Sequence, residues 1–184
     1  MSISKEEFRQ VCLKKLKKRY PNRYFLNKKV SNILYEKLKR YPKNTAILFY
    51  IPLGLEVDVG WVLKKLRKNY QIFVPFMEGK SFKMVPYRLP LKRKKFGIYE
   101  AGNSFKRIKN IDIAIVPIIG IDKNYKRIGF GKGMYDRFFE KLPHKPYTIF
   151  LQLKRCFIDE TICDSYDISC DMLITSDCVL EREG

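Results

Sequence analysis

Two short runs, Ala46-Ile-Leu-Phe-Tyr-Ile51 and Ile113-Ala-Ile-Val116, are apolar at consecutive positions, and they constrain the fold more than any other feature. A strand wetted on one face alternates apolar and polar residues, so a strand that does not alternate has both faces covered. Further β-rich runs fall at 71–74, 82–87 and 147–153, and the second apolar run spans 111–116. Segments with apolar residues at helical intervals lie between them: 57–68, through Val59, Val62, Leu63 and Leu66, and 134–142. Two helices come first. One opens near Lys5, with Ser4 and Glu7 in capping-box spacing and Phe8, Val11, Cys12 and Leu16 along one side, and stops near Pro21. The other covers 28–41. Strands alternating with helices predict an α/β fold, a three-layer α/β/α sandwich around a largely parallel sheet. No repeat, Ser-rich linker or low-complexity tract divides the chain, so residues 1–184 read as one domain, with 86–104 its longest loop.

Lys and Arg outnumber Asp and Glu by 38 to 19, and the acidic residues gather toward the C-terminus. Such an excess suits a nucleic acid, a small polyanion such as a nucleotide, or a solvated lysine-rich surface of the kind formed by Lys14 to Lys18. The longest apolar run, 111–121, is broken by Asp112, Pro117 and Gly120, well short of the roughly 20 residues that cross a bilayer. The charged N-terminus does not read as a secretory signal, and a cytoplasmic protein is expected. The five cysteines contain no Cys-x-x-Cys pair and read as buried free thiols. The single histidine, His144, reads as a loop residue, so no metal is assigned to thiolate or imidazole. Trp61 reads as core.

Open α/β sheets bind ligands beyond the carboxyl ends of their strands. Two loops stand there. Residues 50–58 place Glu56 and Asp58 just past a strand and ahead of a helix. Asp58 suits the positive end of the helix dipole. Glu56 is either solvated or able to grip the N–H groups of a ring such as a pterin. Residues 127–137, Arg-Ile-Gly-Phe-Gly-Lys-Gly-Met-Tyr-Asp-Arg, alternate glycines ahead of a helix. Backbone N–H groups can converge there on phosphate, with Lys132 and Arg127 adding full charges. The spacing is neither a Walker A loop, since Gly133 follows Lys132, nor a dinucleotide fingerprint, which needs glycine at Met134. A flexible turn is the plain alternative. Asp136, one turn into the helix, has the chemistry to hold Mg²⁺ beside phosphate oxygens.

The string RIGFGKGMYDRF, extended upstream by DIAIVPIIGIDKNYK, closely resembles the signature of the 5-formyltetrahydrofolate cyclo-ligases, or methenyltetrahydrofolate synthetases. The resemblance covers nearly the whole chain. It takes in Lys5-Glu-Glu-Phe-Arg9, the 50–58 loop with Glu56, Val74-Pro75, Met84, Phe96-Gly-Ile-Tyr-Glu100 and Tyr166-Asp167-Ile-Ser-Cys-Asp171-Met-Leu-Ile-Thr175. One departure is visible: Ala101 stands where the family usually has Pro.

The resemblance implies the three-layer fold shared with sugar-phosphate isomerases and deaminases. It implies a ligase that uses ATP and Mg²⁺ to close 5-formyltetrahydrofolate to 5,10-methenyltetrahydrofolate, releasing ADP and phosphate. The formyl oxygen, a poor leaving group, attacks the γ-phosphoryl group; a neighbouring folate nitrogen then adds to the activated carbon and phosphate departs. Lys5, Arg9, Arg127 and Lys132 would surround the triphosphate together with Gly129, Gly131 and Gly133. Asp136 and Asp167 would hold the metal, Leu53 and Glu56 the pterin. Phe130 and Met134 would lie between nucleotide and folate, and Tyr135 near the transferring phosphate. Lys132, Arg127 and Tyr135 are the expected catalytic residues. The expected partners are small molecules, with no obligate nucleic acid and no membrane, and a monomer is expected by default. A nucleic-acid-binding module and a sugar-phosphate isomerase of the same fold are the rival readings; steeply salt-dependent oligonucleotide binding would mark the first, and an ATP requirement separates the second from the ligase.

Overall fold

The computed structural model describes residues 3–18, 21–93, 99–104, 108 and 110–182. The quoted segment Phe96 to Ile98 therefore lies outside the described residues.

The first helix, α1 (Lys5–Lys17), starts where the capping box predicts: Ser4 accepts from the Glu7 amide, and the Glu7 carboxylate accepts from the Ser4 amide at 2.8 Å. The second, α2 (Arg23–Leu38), begins five residues earlier than expected. Its first turn exposes Tyr24 and Phe25, so no buried period marks it, and burial starts only at Val30.

A seven-stranded sheet follows. In chain order its strands are β1 (Ala46–Leu48), β2 (Gln71–Glu78), β3 (Ser81–Pro86), β6 (Ile113–Pro117), β9 (Tyr147–Leu151), β10 (Met172–Ile174) and β11 (Val179–Glu181). Across the sheet they lie β11-β10-β9-β6-β1-β2-β3. The five central strands are parallel, and β3 and β11 are antiparallel edges. Two small two-stranded ribbons complete the β structure of the described residues: β4 (Lys92–Arg93) with β5 (Tyr99–Glu100), and β7 (Gly120–Ile121) with β8 (Arg127–Ile128). Helices α3 (Gly60–Leu66) and α4 (Met134–Phe139) are both shorter than their apolar periods suggest.

The doubly apolar strands have the two covered faces they require. Ile47, Ile113, Ile115, Ile149 and Leu151 pack under α2 and α3, while Leu48, Ala114, Val116 and Phe150 pack on the other face with Phe138 of α4. Alternate residues go to opposite layers, as the pleat dictates. Trp61 is not core: it is 36% exposed at the α2–α3 seam, where its indole N–H donates to Ser31 Oγ at 2.8 Å. Among the described residues no helix is long and apolar enough to cross a membrane.

A third apolar cluster joins the inner side of α1 to the carboxyl end of the sheet, through Phe8, Cys12 and Leu16 against Ile119, Ile128 and Cys156. Here the reading of five free thiols is corrected. Cys12 and Cys156 form a disulfide across a sequence separation of 144, because packing α1 onto the loop after β9 brings the two sulfurs together. Cys163 and Cys170 are free and buried, and Cys178 is free and half-buried.

Candidate functional site

Successive strands run outward in one direction from β1 to β2 and in the other from β6 through β9 to β10. The reversal lies between β1 and β6, and a crevice forms where the loops leaving such neighbours part. Both sequence-derived candidates are there: the loop after β1 carries Leu53 and Glu56, and the chain after β6 leads through β8 into the glycine loop 129–133.

Between them is a cavity of about 340 Å³. Tyr50, Leu53 and Glu56 line it from the β1 loop, and Arg127, Phe130, Lys132, Gly133, Met134 and Tyr135 from the glycine segment. The remaining wall is the β2–β3 hairpin and its surroundings: Pro75, Met77 and Phe82, with Tyr99 and Glu100 beside them. Residue-by-residue reading missed that wall. Its only signals were the resemblance at Val74-Pro75, Met84 and Glu100. The run 71–74 stops short of Pro75, yet β2 continues through it to Glu78. Past Phe73 it pairs only with β3, which leaves one side where a missing N–H is tolerated. Several large apolar side chains exposed in this protein meet here: Leu53, Met77, Tyr99 and Phe130 are each between 43% and 49% exposed.

The polar groups inside are few and aimed. The Glu56 carboxylate accepts from the Leu53 amide at 2.8 Å; burial pushes its pKa up, while that hydrogen bond and Arg127 pull it down. Glu56 is thus not a solvated cap. Asp58, by contrast, stands at the start of α3 as expected, accepting from the Gly60 amide at 2.8 Å, although the N-cap position itself is Val59. Arg127 is buried, donates Nε–H to the Pro117 carbonyl at 3.0 Å and lays its guanidinium 4.8 Å from the centre of the Tyr135 ring. Burial lowers its pKa, partly offset by Tyr135, Asp136, Glu56 and Asp167. Burial also raises the Tyr135 phenol well above its usual range, so it stays protonated.

Glycine is needed in this loop for two reasons. Gly131 and Gly133 hold φ at +85° and +56°, which side chains rarely adopt. At Gly129 a Cβ would strike the Arg127 guanidinium.

On the outer side of the loop stands the N-terminal half of α1. Lys5 and Arg9 share a face, as their spacing predicts. Arg9 donates Nε–H to the Gly129 carbonyl at 2.8 Å. Lys5 forms ion pairs with Asp167 and with Asp164, the latter at 3.1 Å. Burial alone would lower the Lys5 pKa; hydrogen bonds to the two carboxylates outweigh it and raise the value. Asp136 and Asp167 both reach the 164–168 turn. Asp136 Oδ1 accepts weakly from the Ile168 amide at 3.5 Å, and Asp167 Oδ2 accepts from the Asp164 amide at 2.7 Å. Among the described residues no three His, Cys, Asp or Glu groups cluster closely enough to hold a metal unaided. Two carboxylates completed by phosphate oxygens and water are the donor set Mg²⁺ ordinarily takes, so the residues present fit that ion.

The sequence profile of the 5-formyltetrahydrofolate cyclo-ligase family matches residues 1–176. A Mus musculus 5-formyltetrahydrofolate cyclo-ligase is 26% identical over 155 residues, covering 75% of this chain and 76% of its own. The Mycoplasma pneumoniae enzyme of the same name is 24% identical over 83% of this chain and 85% of its own. Among solved structures, the Aquifex aeolicus 5,10-methenyltetrahydrofolate synthetase superposes with a TM-score of 0.78 at 26% identity, covering 98% of this chain and 94% of that one.

Proposed function

Because this chain belongs to the 5-formyltetrahydrofolate cyclo-ligase family, we propose that it closes 5-formyltetrahydrofolate to 5,10-methenyltetrahydrofolate at the expense of ATP. The observation that carries this reading is the position of the glycine loop. One side borders an apolar cavity lined by the half-buried Glu56 carboxylate and the buried Arg127 guanidinium; the other meets the cationic face of α1. A flat heterocycle suits the first side and a triphosphate the second.

In this reading the pterin enters the cavity against Leu53, Met77 and Phe82, and Glu56 receives its N–H groups. The triphosphate lies along the loop amides between Gly129 and Gly133, with Lys5, Arg9 and Lys132 around it. Asp136 and Asp167 would hold Mg²⁺, which would supply positive charge beside the phosphates. Arg127 sits where the two compartments meet. Its guanidinium is fixed by Pro117 and Tyr135, and in this reading it would stabilise the charge that develops between the formyl oxygen and the γ-phosphorus. The formyl oxygen attacks phosphorus and ADP leaves; the neighbouring folate nitrogen attacks the activated carbon and phosphate leaves. These residues align the two reactants and stabilise spread charge, where most of the barrier to phosphoryl transfer is lowered. No protein nucleophile takes part. A monomeric cytoplasmic enzyme acting on soluble substrates completes the reading.

The test is a mixture of purified protein, 5-formyltetrahydrofolate, ATP and Mg²⁺. The methenyl chromophore is expected to appear, and to fail to appear when ATP is withheld. No chromophore in the complete mixture, or one independent of ATP, overturns the reading.

A further inference from the structure

Arg137 lies one residue past Asp136, on α4, and takes no part in the chemistry above. Its guanidinium nevertheless spans two separate walls of the cavity. Nε–H and Nη2–H both donate to the Lys80 carbonyl, at 3.0 and 2.5 Å, and Nη2–H also donates to the Lys132 carbonyl. Lys80 is in the turn of the β2–β3 hairpin, whose Met77 and Phe82 line the cavity; Lys132 is in the glycine loop opposite. Gly133 makes the approach possible, since a Cβ there would stand 2.9 Å from Arg137 Nη1. A second contact runs beside the first, from Ser81 Oγ–H to the Met134 carbonyl at 3.1 Å.

We propose that Arg137 is a positioning residue that clamps the glycine loop to the β2–β3 hairpin, so that the phosphate-binding and heterocycle-binding walls hold a fixed separation. The inference rests on the function proposed above. A planar guanidinium can serve two carbonyls at once in a fixed geometry, whereas an ammonium is a single point donor. The backbone carbonyl of Lys132 is the atom held. Releasing it frees the peptide from which the Lys132 side chain projects, along with the adjacent amides. A shift of about 1 Å between reacting groups costs as much as a hundredfold in rate. Arg137 therefore acts through Lys132 and the loop, without touching either substrate.

The experiment compares wild type with Arg137→Gln and Arg137→Lys, reading kcat, KM for ATP, thermal unfolding and amide hydrogen exchange. Arg137→Gln is expected to lower kcat about tenfold or more while KM for ATP changes less than about threefold. Exchange should accelerate at residues 131–134 and remain as in wild type in β1, β6 and β9. Arg137→Lys, keeping one donor, should recover part of kcat. Wild-type kcat in Arg137→Gln, or wild-type exchange in the loop, overturns the clamp. If Arg137→Gln does not fold, the exchange pattern of Arg137→Lys decides in the same way. A wild-type protein with no cyclo-ligase activity would remove the proposed function, while the exchange comparison would still decide whether the clamp exists.

Discussion

Arg9 in the first helix donates its Nε–H to the carbonyl of Gly129 at 2.8 Å, joining residues 120 positions apart. The bond turns the Gly129 carbonyl toward α1 and gives the helix a fixed place beside the glycine loop. Lys5, one turn earlier, is fixed in the same way by Asp167 and Asp164. In the proposed reaction the cations of α1 would thereby be set in position before the triphosphate arrives, the arrangement that makes electrostatic stabilisation effective.

Lys132 lines the cavity at the loop's crest. Its charge-assisted contact with phosphate would be worth about 10- to 100-fold in rate. Lys132→Ala is expected to lower kcat/KM by that factor with an unchanged thermal midpoint. Unaltered turnover would remove Lys132 from the site.

Asp136→Asn keeps the size of the side chain and its reach to the Ile168 amide. A metal titration of activity should shift to higher Mg²⁺ concentration. A titration superimposable on that of wild type would make the carboxylate structural only.

Glu56 connects stability to function. Burial raises its carboxyl pKa above the ordinary 4.5, so the folded state binds that proton more tightly than the unfolded state. Its contribution is fully present below pH 4.5 and declines as pH rises through the folded-state value, because there the native state holds more protons. Glu56→Gln should lack this decline and unfold no more easily than wild type at neutral pH, while raising KM for the folate. Denaturant melts across the acid range, with steady-state kinetics, check both parts.

The Cys12–Cys156 link ties α1 to the loop after β9 across 144 residues. A denatured, unreduced chain should release three titratable thiols, and a reduced one five. Removing the cross-link in Cys12→Ala should cost about 2–5 kcal/mol of stability. Five thiols without reductant would contradict the pairing.

The layered α/β architecture was readable because its signals are local. Non-alternating strands such as 113–116 demand two covers, and Ser4 with Glu7 marks a helix start. The site's glycine loop and the shared face of Lys5 and Arg9 were readable for the same reason. What escaped depends on contacts between distant segments. Strands β10 and β11 are three residues each, too short to show a period. The hairpin wall of the cavity depends on Pro75 being tolerated where β2 has lost one neighbour. The disulfide depends on where α1 docks. Glu56 was open between solvent and ligand until the fold enclosed it.

The most direct measurement is the structure of the protein with a non-hydrolysable ATP analogue, Mg²⁺ and 5-formyltetrahydrofolate. The terminal phosphates should lie within hydrogen-bond distance of the amides between Gly129 and Gly133, with the pterin in the adjoining cavity against Glu56. Phosphates bound elsewhere, with these glycine amides facing no ligand, would contradict the central claim.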